Sequence, residues 1–279
     1  MGDVPMDDVS ITDREFQRYR KFLYDAAGIQ LTDSKKPLVT SRLSRRLSAL
    51  GIRSYGAYLD LIQSGRDSGE RQTAIDLLTT NETYFFRESK HFDLLRDLAS
   101  RAPAGKSFRV WSAACSSGEE PYSIAMVLAD VRGSSPWEVF ASDLSTRMLD
   151  RARAAHYPME RATHVPRKYL ERFCLKGIDD QAGTLLVDAP VRGRVQFAQV
   201  NLMEPLPDLG RFDVVFLRNV LIYFDLETKR GVVGRLSQVL TEGGHLFIGH
   251  SEALHGIAEG FETVMPTVYR RAGAARVAA

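Results

Sequence analysis

The chain has 279 residues, 44% of them hydrophobic, with 37 basic against 35 acidic side chains and a net charge of +2. That length suits two domains, or one α/β domain with an extension, and the apolar content builds a core without disulfide or metal staples. The charge balance excludes a surface built throughout for nucleic acid. Cys115 and Cys174 are the only cysteines. They are unclustered, leave no zinc spacing, and read as reduced thiols. Residues 1–8 are acidic and polar, unlike a signal peptide. Gly2 is followed by Met6 where a myristoylation signal needs Ser or Thr. No apolar run approaches the roughly 20 residues of a membrane span. A soluble, cytoplasmic protein without metal is expected.

Residues 12 to about 100 carry helical periodicity. Thr12 or Asp13 caps a first helix bearing Phe16, Tyr19, Phe22 and Leu23. Asp33 or Ser34 caps a second, with Leu43, Leu47 and Leu50 on one face and Gly51 at its end. A third covers residues 54–62 and stops at Gly65, a fourth holds Ile75, Leu77 and Leu78, and a fifth holds Phe92, Leu94, Leu95 and Leu98. Residues 1–80 thus read as a helical domain, and 81–107 as a linker ending in a helix.

At Phe108 the pattern changes. Residues 108–114, 138–142, 212–217 and 244–249 read as strands; residues 121–131, 146–155 and 226–240 read as helices. Alternation of this kind implies an α/β domain with a doubly wound, mostly parallel sheet over residues 108–279. Residues 177–200 interrupt it. Two strand candidates, Thr184–Val187 and residues 194–197, flank Pro190 and Gly193. They predict a small inserted antiparallel β-subdomain, with a long loop as the alternative. The tail from Arg271 on is expected to fray.

The strongest local signal is Val110-Trp-Ser-Ala-Ala-Cys-Ser-Ser-Gly-Glu-Glu-Pro-Tyr-Ser: a strand, a turn of small residues, then a helix start. Small residues let backbone approach a ligand, and the helix start offers free N–H groups. With Gly118 its only glycine and no Gly-Lys-Ser/Thr ending, it is neither a dinucleotide fingerprint nor a P-loop. Glu119 and Glu120 would repel a pyrophosphate. A cationic ligand such as S-adenosylmethionine fits better. Asp143, at the end of the second strand, is well placed for ribose hydroxyls. Its alternative role is N-cap of the next helix.

Four motifs stand in order: Thr80-Asn-Glu-Thr-Tyr-Phe-Phe-Arg, Ala113-Ala-Cys-Ser-Ser-Gly-Glu-Glu-Pro-Tyr-Ser, Ala141-Ser-Asp-Leu-Ser and Phe216-Leu-Arg-Asn-Val-Leu-Ile-Tyr-Phe. Together they resemble the CheR chemotaxis protein methyltransferases, from about Thr12 to Arg270. The resemblance implies a helical N-terminal domain and a methyltransferase domain with an inserted β-subdomain. It implies cofactor contacts at Asn81, Thr83, Arg87, Glu119, Asp143, Asn201, Leu202, Arg218 and Asn219. It implies esterification of glutamates on the methylation helices of a chemoreceptor, giving S-adenosylhomocysteine.

A glutamate carboxylate titrates near pH 4.3, so at about pH 7 it is already a nucleophile. Methyl transfer then rests on positioning and desolvation. Arg87 is expected to hold the substrate's or the cofactor's carboxylate, and Tyr223 to donate to the substrate carboxylate, a packed ring being its alternative. The six histidines suggest no metal constellation; His250 and Glu252 read as structural, and Cys115 as packing. Between Ser34 and Arg53 stand Lys35, Lys36, Arg42, Arg45, Arg46 and Arg53 with no acid. All but Lys36 fall on one third of a helix circumference, a stripe suited to an acidic helical partner. In some family members the β-subdomain takes a receptor C-terminal peptide as an added strand. Two rivals remain: a nucleic-acid methyltransferase, which the absence of an Asp/Asn-Pro-Pro-Tyr/Phe turn at Arg218 disfavours, and a non-catalytic cofactor-binding module.

Overall fold

The computed structural model describes residues 10–273. Contacts divide the chain into two compact units: residues up to Thr80 together with Tyr223–Asp225, and Asn81–Ile222 together with residues from Leu226 on.

The first unit is helical: α1 (Asp13–Ala27), α2 (Lys36–Ala49), α3 (Tyr55–Gln63) and α4 (Ser68–Leu78). Thr12 caps α1 in a reciprocal capping box with Glu15, and Gly28 ends it in the left-handed region at φ 70°. The periodic residues Phe16, Tyr19, Phe22 and Leu23 are all buried; each such side chain contributes about 1.5–3 kcal/mol. On α2, Leu43 and Leu47 are buried, but Leu50 is 39% exposed because the helix ends at Ala49 and Leu50 leaves its periodicity. Polar order is set by Glu70, whose carboxylate receives the Tyr58 hydroxyl at 2.6 Å and the Arg46 guanidinium. Tyr223–Asp225, far along the chain, pack here: Gln30 N donates to the Tyr223 carbonyl and the Tyr24 hydroxyl to Asp225, each at 2.8 Å.

The second unit begins with α5 (Ser89–Arg101), β1 (Phe108–Ser112), α6 (Glu119–Arg132), β2 (Trp137–Asp143), α7 (Thr146–Ala154) and β3 (His156–Pro158). It continues with α8 (Arg167–Phe173), β4 (Cys174–Lys176), β5 (Thr184–Val187), α9 (Ala189–Arg192), β6 (Val195–Gln199) and β7 (Phe212–Leu217). It closes with α10 (Leu226–Val239), β8 (Leu240–Ile248), β9 (Phe261–Met265) and β10 (Val268–Arg271). The main sheet runs β6-β2-β1-β7-β8-β10-β9. It is parallel from β6 to β8, and β10 joins antiparallel. Parallel strands covered on both faces bury nearly every residue, and Phe212–Leu217 follows that rule with only Asp213 short of full burial. The segment read as a linker is integral to this unit. Phe92 and Leu95 of α5 are in its core, and Arg132 of α6 donates to the Ala99 and Ala102 carbonyls.

The β excursion differs from expectation. Val195–Gln199 is not its second strand; it pairs in parallel with β2 at the rim of the main sheet. The small antiparallel sheet is β3-β5-β4 and starts at His156. Pro190 explains the error. It stands in the first turn of α9, capped by Asp188, where proline is compatible with helix. A helical turn separates β5 from β6 and sends them to different sheets. The antiparallel pair β9 and β10 had no sequence expectation, and Arg271, expected to fray, is paired within it opposite Phe261. Residues 1–8 and the tail from residue 274 lie outside the described residues.

Candidate functional site

Topology alone gathers most of the expected site. β1 is followed by β2 on one side and flanked by β7 on the other, so the strand order reverses at β1, and ligands of open α/β sheets bind beyond the carboxyl ends there. Glu119 opens the helix after β1, and Asp143 ends β2. Asn201 and Leu202 follow β6, and Arg218 and Asn219 follow β7. Six residues from four sequence segments therefore meet along one edge.

The turn after β1 is fixed by that edge. Gly118 has φ 98°, and a Cβ there would lie 2.7 Å from the Tyr157 hydroxyl and 2.9 Å from Ala152, so both conformation and space demand glycine. Ser116 is left-handed at φ 48°. Its N–H donates to Asp143 Oδ2 at 2.8 Å, and its hydroxyl to the Asn81 carbonyl at 2.9 Å. Asp143 Oδ1 accepts from Ser145 N at 2.8 Å. The N-cap of α7 is Ser145, whose hydroxyl accepts from Met148 N, so the capping role considered for Asp143 falls elsewhere. Asp143 is 8% exposed, and backbone N–H groups of Ser116 and Ser145 hold its carboxylate at the end of β2.

Glu119 is fully buried. The Ser117 hydroxyl donates to its Oε2 at 2.6 Å. Its Oε1 has no hydrogen-bond partner among the described residues, although Arg161 Nε stands 3.1 Å away, out of line. Arg161 Nη2 donates to the Thr83 carbonyl at 3.1 Å, which brings the Asn81–Thr83 segment to the same place. Burial raises the Glu119 carboxyl above the ordinary carboxylate range, and the Ser117 hydroxyl, then Arg161, bring it only part of the way back. Burial and the carboxylates of Asp143 and Glu120 push the Cys115 thiol well up, so it is a packing group.

Arg218 is committed to protein partners. Its Nε donates to Glu120 Oε2 at 2.7 Å, and its Nη1 reaches the Arg87 carbonyl and stands 3.5 Å from Glu88. Its plane lies over Phe92 and Phe216, each centroid 5.4 Å away. The backbone that Arg218 leads into is held by Glu252, which accepts from Gly249 N, Asn219 N and Ile222 N at 2.6, 3.0 and 3.2 Å. Asn219 takes φ 60°.

Two histidines that the sequence scatters come together here. His91 Nδ1 and His250 Nε2 stand 3.4 and 3.9 Å from Glu88. These three are grouped closely enough to hold a metal ion. However, Arg218 Nη1 lies 3.5 Å from both Glu88 and His91 Nδ1 and supplies the positive charge itself. His91 Nε2 and the Thr267 hydroxyl are 2.9 Å apart, and that hydroxyl also lies 2.6 Å from the Pro266 carbonyl. Burial and Arg218 bring His91 down to about 4. No sequence signal marked this cluster.

Arg87 is half-buried over the Tyr84 ring, 5.6 Å from its centroid. Leu202 is buried, its carbonyl accepting two bonds from Arg235. The Asn201 side chain accepts from Met203 N at 3.1 Å. Tyr223 is half-buried within the helical unit.

The basic stripe needs correction. Arg46 is not free of counter-charge, because Glu70 of α4 binds it. Arg42 donates to the Leu78 and Thr79 carbonyls at 2.7 and 2.9 Å, satisfying the end of α4. Arg53 lies beyond the helix, so helical spacing does not set its direction. Lys35, Arg45 and Arg53 are exposed and have no ion pair among the described residues.

Comparison with known proteins agrees with this architecture. Residues 14–79 match the family described as CheR methyltransferase, all-alpha domain, and residues 81–270 match CheR methyltransferase, SAM binding domain. The chain is 42% identical over 264 residues to the chemotaxis protein methyltransferase of Escherichia coli (strain K12), covering 94% of this chain and 92% of that one. It is 43% identical over 262 residues to chemotaxis protein methyltransferase 2 of Pseudomonas aeruginosa, covering 92% and 93%. The chain belongs to the CheR methyltransferase family, and its cofactor is S-adenosylmethionine.

Proposed function

We propose that this protein transfers a methyl group to glutamate side chains of chemoreceptor cytoplasmic helices, forming methyl esters and S-adenosylhomocysteine. The observation that carries the reading is the open oxygen of Glu119. Arg161 offsets its charge from 3.1 Å without an aligned hydrogen bond, and a ligand ammonium would supply that bond, worth on the order of 1–3 kcal/mol. Glu119 would hold the ammonium of the cofactor, Asp143 its ribose hydroxyls, and the Asn201–Leu202 segment its adenine. Asn81 and Thr83 lie at the same edge through Ser116 and Arg161. S-adenosylmethionine supplies an electrophilic methyl group on a sulfonium.

The acceptor needs no base, since a glutamate is ionised at about pH 7. Arg87 orients a carboxylate, stacked on Tyr84 to limit its rotation. Arg218 acts through Glu120 and Glu88 rather than by touching the ligand. Lys35, Arg45 and Arg53 meet the acidic receptor surface, in cytoplasm and at receptor arrays. The exposed Leu175 and Ile178 beside the small sheet leave room for a receptor peptide.

The test is transfer of radiolabelled methyl groups to membranes carrying candidate receptors, followed by mild base. Release of the label as methanol supports glutamyl esters. Label that survives base points to nitrogen methylation, as on nucleic acid. Stoichiometric cofactor binding with no transfer to any receptor would leave a binding module.

A further inference from the structure

Arg161 carries no role in the reading above, yet it is the cation nearest the open oxygen of Glu119. It stands on the short 3-10 turn Met159–Ala162, directly after β3 of the small sheet. Its Nε is 3.1 Å from Glu119 Oε1 without hydrogen-bond alignment, and its Nη2 is anchored on the Thr83 carbonyl. Its side chain is 36% exposed while that of Glu119 is fully buried. A misaligned guanidinium gives charge compensation and leaves the oxygen's lone pair unused. That is the arrangement a carboxylate needs if it is to stay ionised before a ligand arrives and still be able to bind it.

We propose that Arg161 is a positioning residue, a resident counter-cation that holds the Glu119 carboxylate ionised and ready for a cationic ligand group. The proposal rests on the reading of Glu119 as the ammonium site. It also gives the small sheet a role at the cofactor edge, since β3 sets where Arg161 stands. The groups facing Glu119 are few. Ser117 donates to it from its own loop, and Arg151 of α7 adds a weaker positive field. Tyr157 of β3 and Cys115 of the loop feel its charge, and burial keeps both neutral. Against burial the Ser117 hydrogen bond acts most, and Arg161 is the strongest of the charges that act with it.

The experiment compares S-adenosylhomocysteine with 5′-methylthioadenosine, which lacks the ammonium-bearing portion. The ratio of their affinities, measured by calorimetry from pH 6 to 8, isolates the grip on that portion. In the wild type the ratio stays flat. In Arg161→Gln it falls about tenfold at the acid end and recovers as pH rises, because a proton then competes for Glu119 with a factor of about ten per pH unit. Arg161→Lys restores the flat profile. A ratio lowered equally at every pH would mean that Arg161 touches the cofactor itself, and an unchanged ratio would make it a bystander; either result overturns the proposal. Glu119→Gln is the separate control. If it leaves the ratio unchanged, the ammonium reading fails, whatever Arg161 does.

Discussion

Arg218 Nε donates to Glu120 Oε2 at 2.7 Å, tying the tip of β7 to the first turn of α6 with both side chains more than nine-tenths buried. Glu120 also takes the Ser112 hydroxyl at 2.6 Å, so the pair fixes three neighbouring segments of the ligand edge. Removing one member of a buried pair strands the other. Arg218→Met should cost about 3–5 kcal/mol in urea unfolding. Adding Glu120→Gln should recover part of that loss, because that buried charge then disappears. Equal stability of the single and double variants would show that the pair is not coupled.

Asp143 serves the turn and, in the proposed reading, the ribose. Asp143→Ala should weaken S-adenosylhomocysteine by about 1.5–3 kcal/mol, the range for a hydrogen bond to a charged group. Calorimetry measures the affinity, and thermal melting separately reports the lost Ser116 and Ser145 contacts. Unchanged affinity would remove Asp143 from the ligand.

Gly249 has no room for a side chain. A Cβ there would lie 2.4 Å from Asn219 Nδ2 and 2.9 Å from Asn219 N. Gly249→Ala should therefore destabilise by about 1–3 kcal/mol, the usual cost of overpacking. Differential scanning calorimetry would read this as a lowered melting temperature. A variant as stable as the parent would mean that Asn219 moves freely.

Charge reversal of Lys35, Arg45 and Arg53 to Glu should abolish receptor methylation at moderate salt while leaving cofactor affinity intact. Stability should change by only about 0.5 kcal/mol for each substitution, since these side chains are exposed. Arg46→Glu should behave differently, lowering stability by confronting buried Glu70 with a like charge. Full methylation by the triple variant would dismiss the docking surface.

His91 gives a pH signature. Its folded value near 4 lies below the usual 6.5, so the unfolded chain binds more protons between those limits. The stability tied to neutral His91 is present above pH 6.5 and is lost as pH falls toward 4. The slope over that window is at most about 1.4 kcal/mol per pH unit for the one proton. Arg218, Glu88, His250 and Thr267 face it, and His91→Gln removes its titration while keeping all four side chains in the sequence. Urea midpoints of that variant should fall less on acidification than those of the parent; parallel curves would contradict a neutral buried His91.

Hydrophobic periodicity and capping are local, so the sequence alone determined α1, started at Thr12 or Asp13, and the continuous apolar run of β7. The order of motifs likewise determined the family, because each motif is a contiguous segment. Only tertiary structure decided that β6 joins the main sheet, since a short strand takes whichever free edge its neighbours present and Pro190 reads alike in a bend or a helical first turn. It also decided that Glu70 neutralises Arg46, that His91 and His250 meet at Glu88, and that Arg161 faces Glu119. Charges distant in sequence find their partners only when packing excludes water between them, and no spacing along the chain records that encounter.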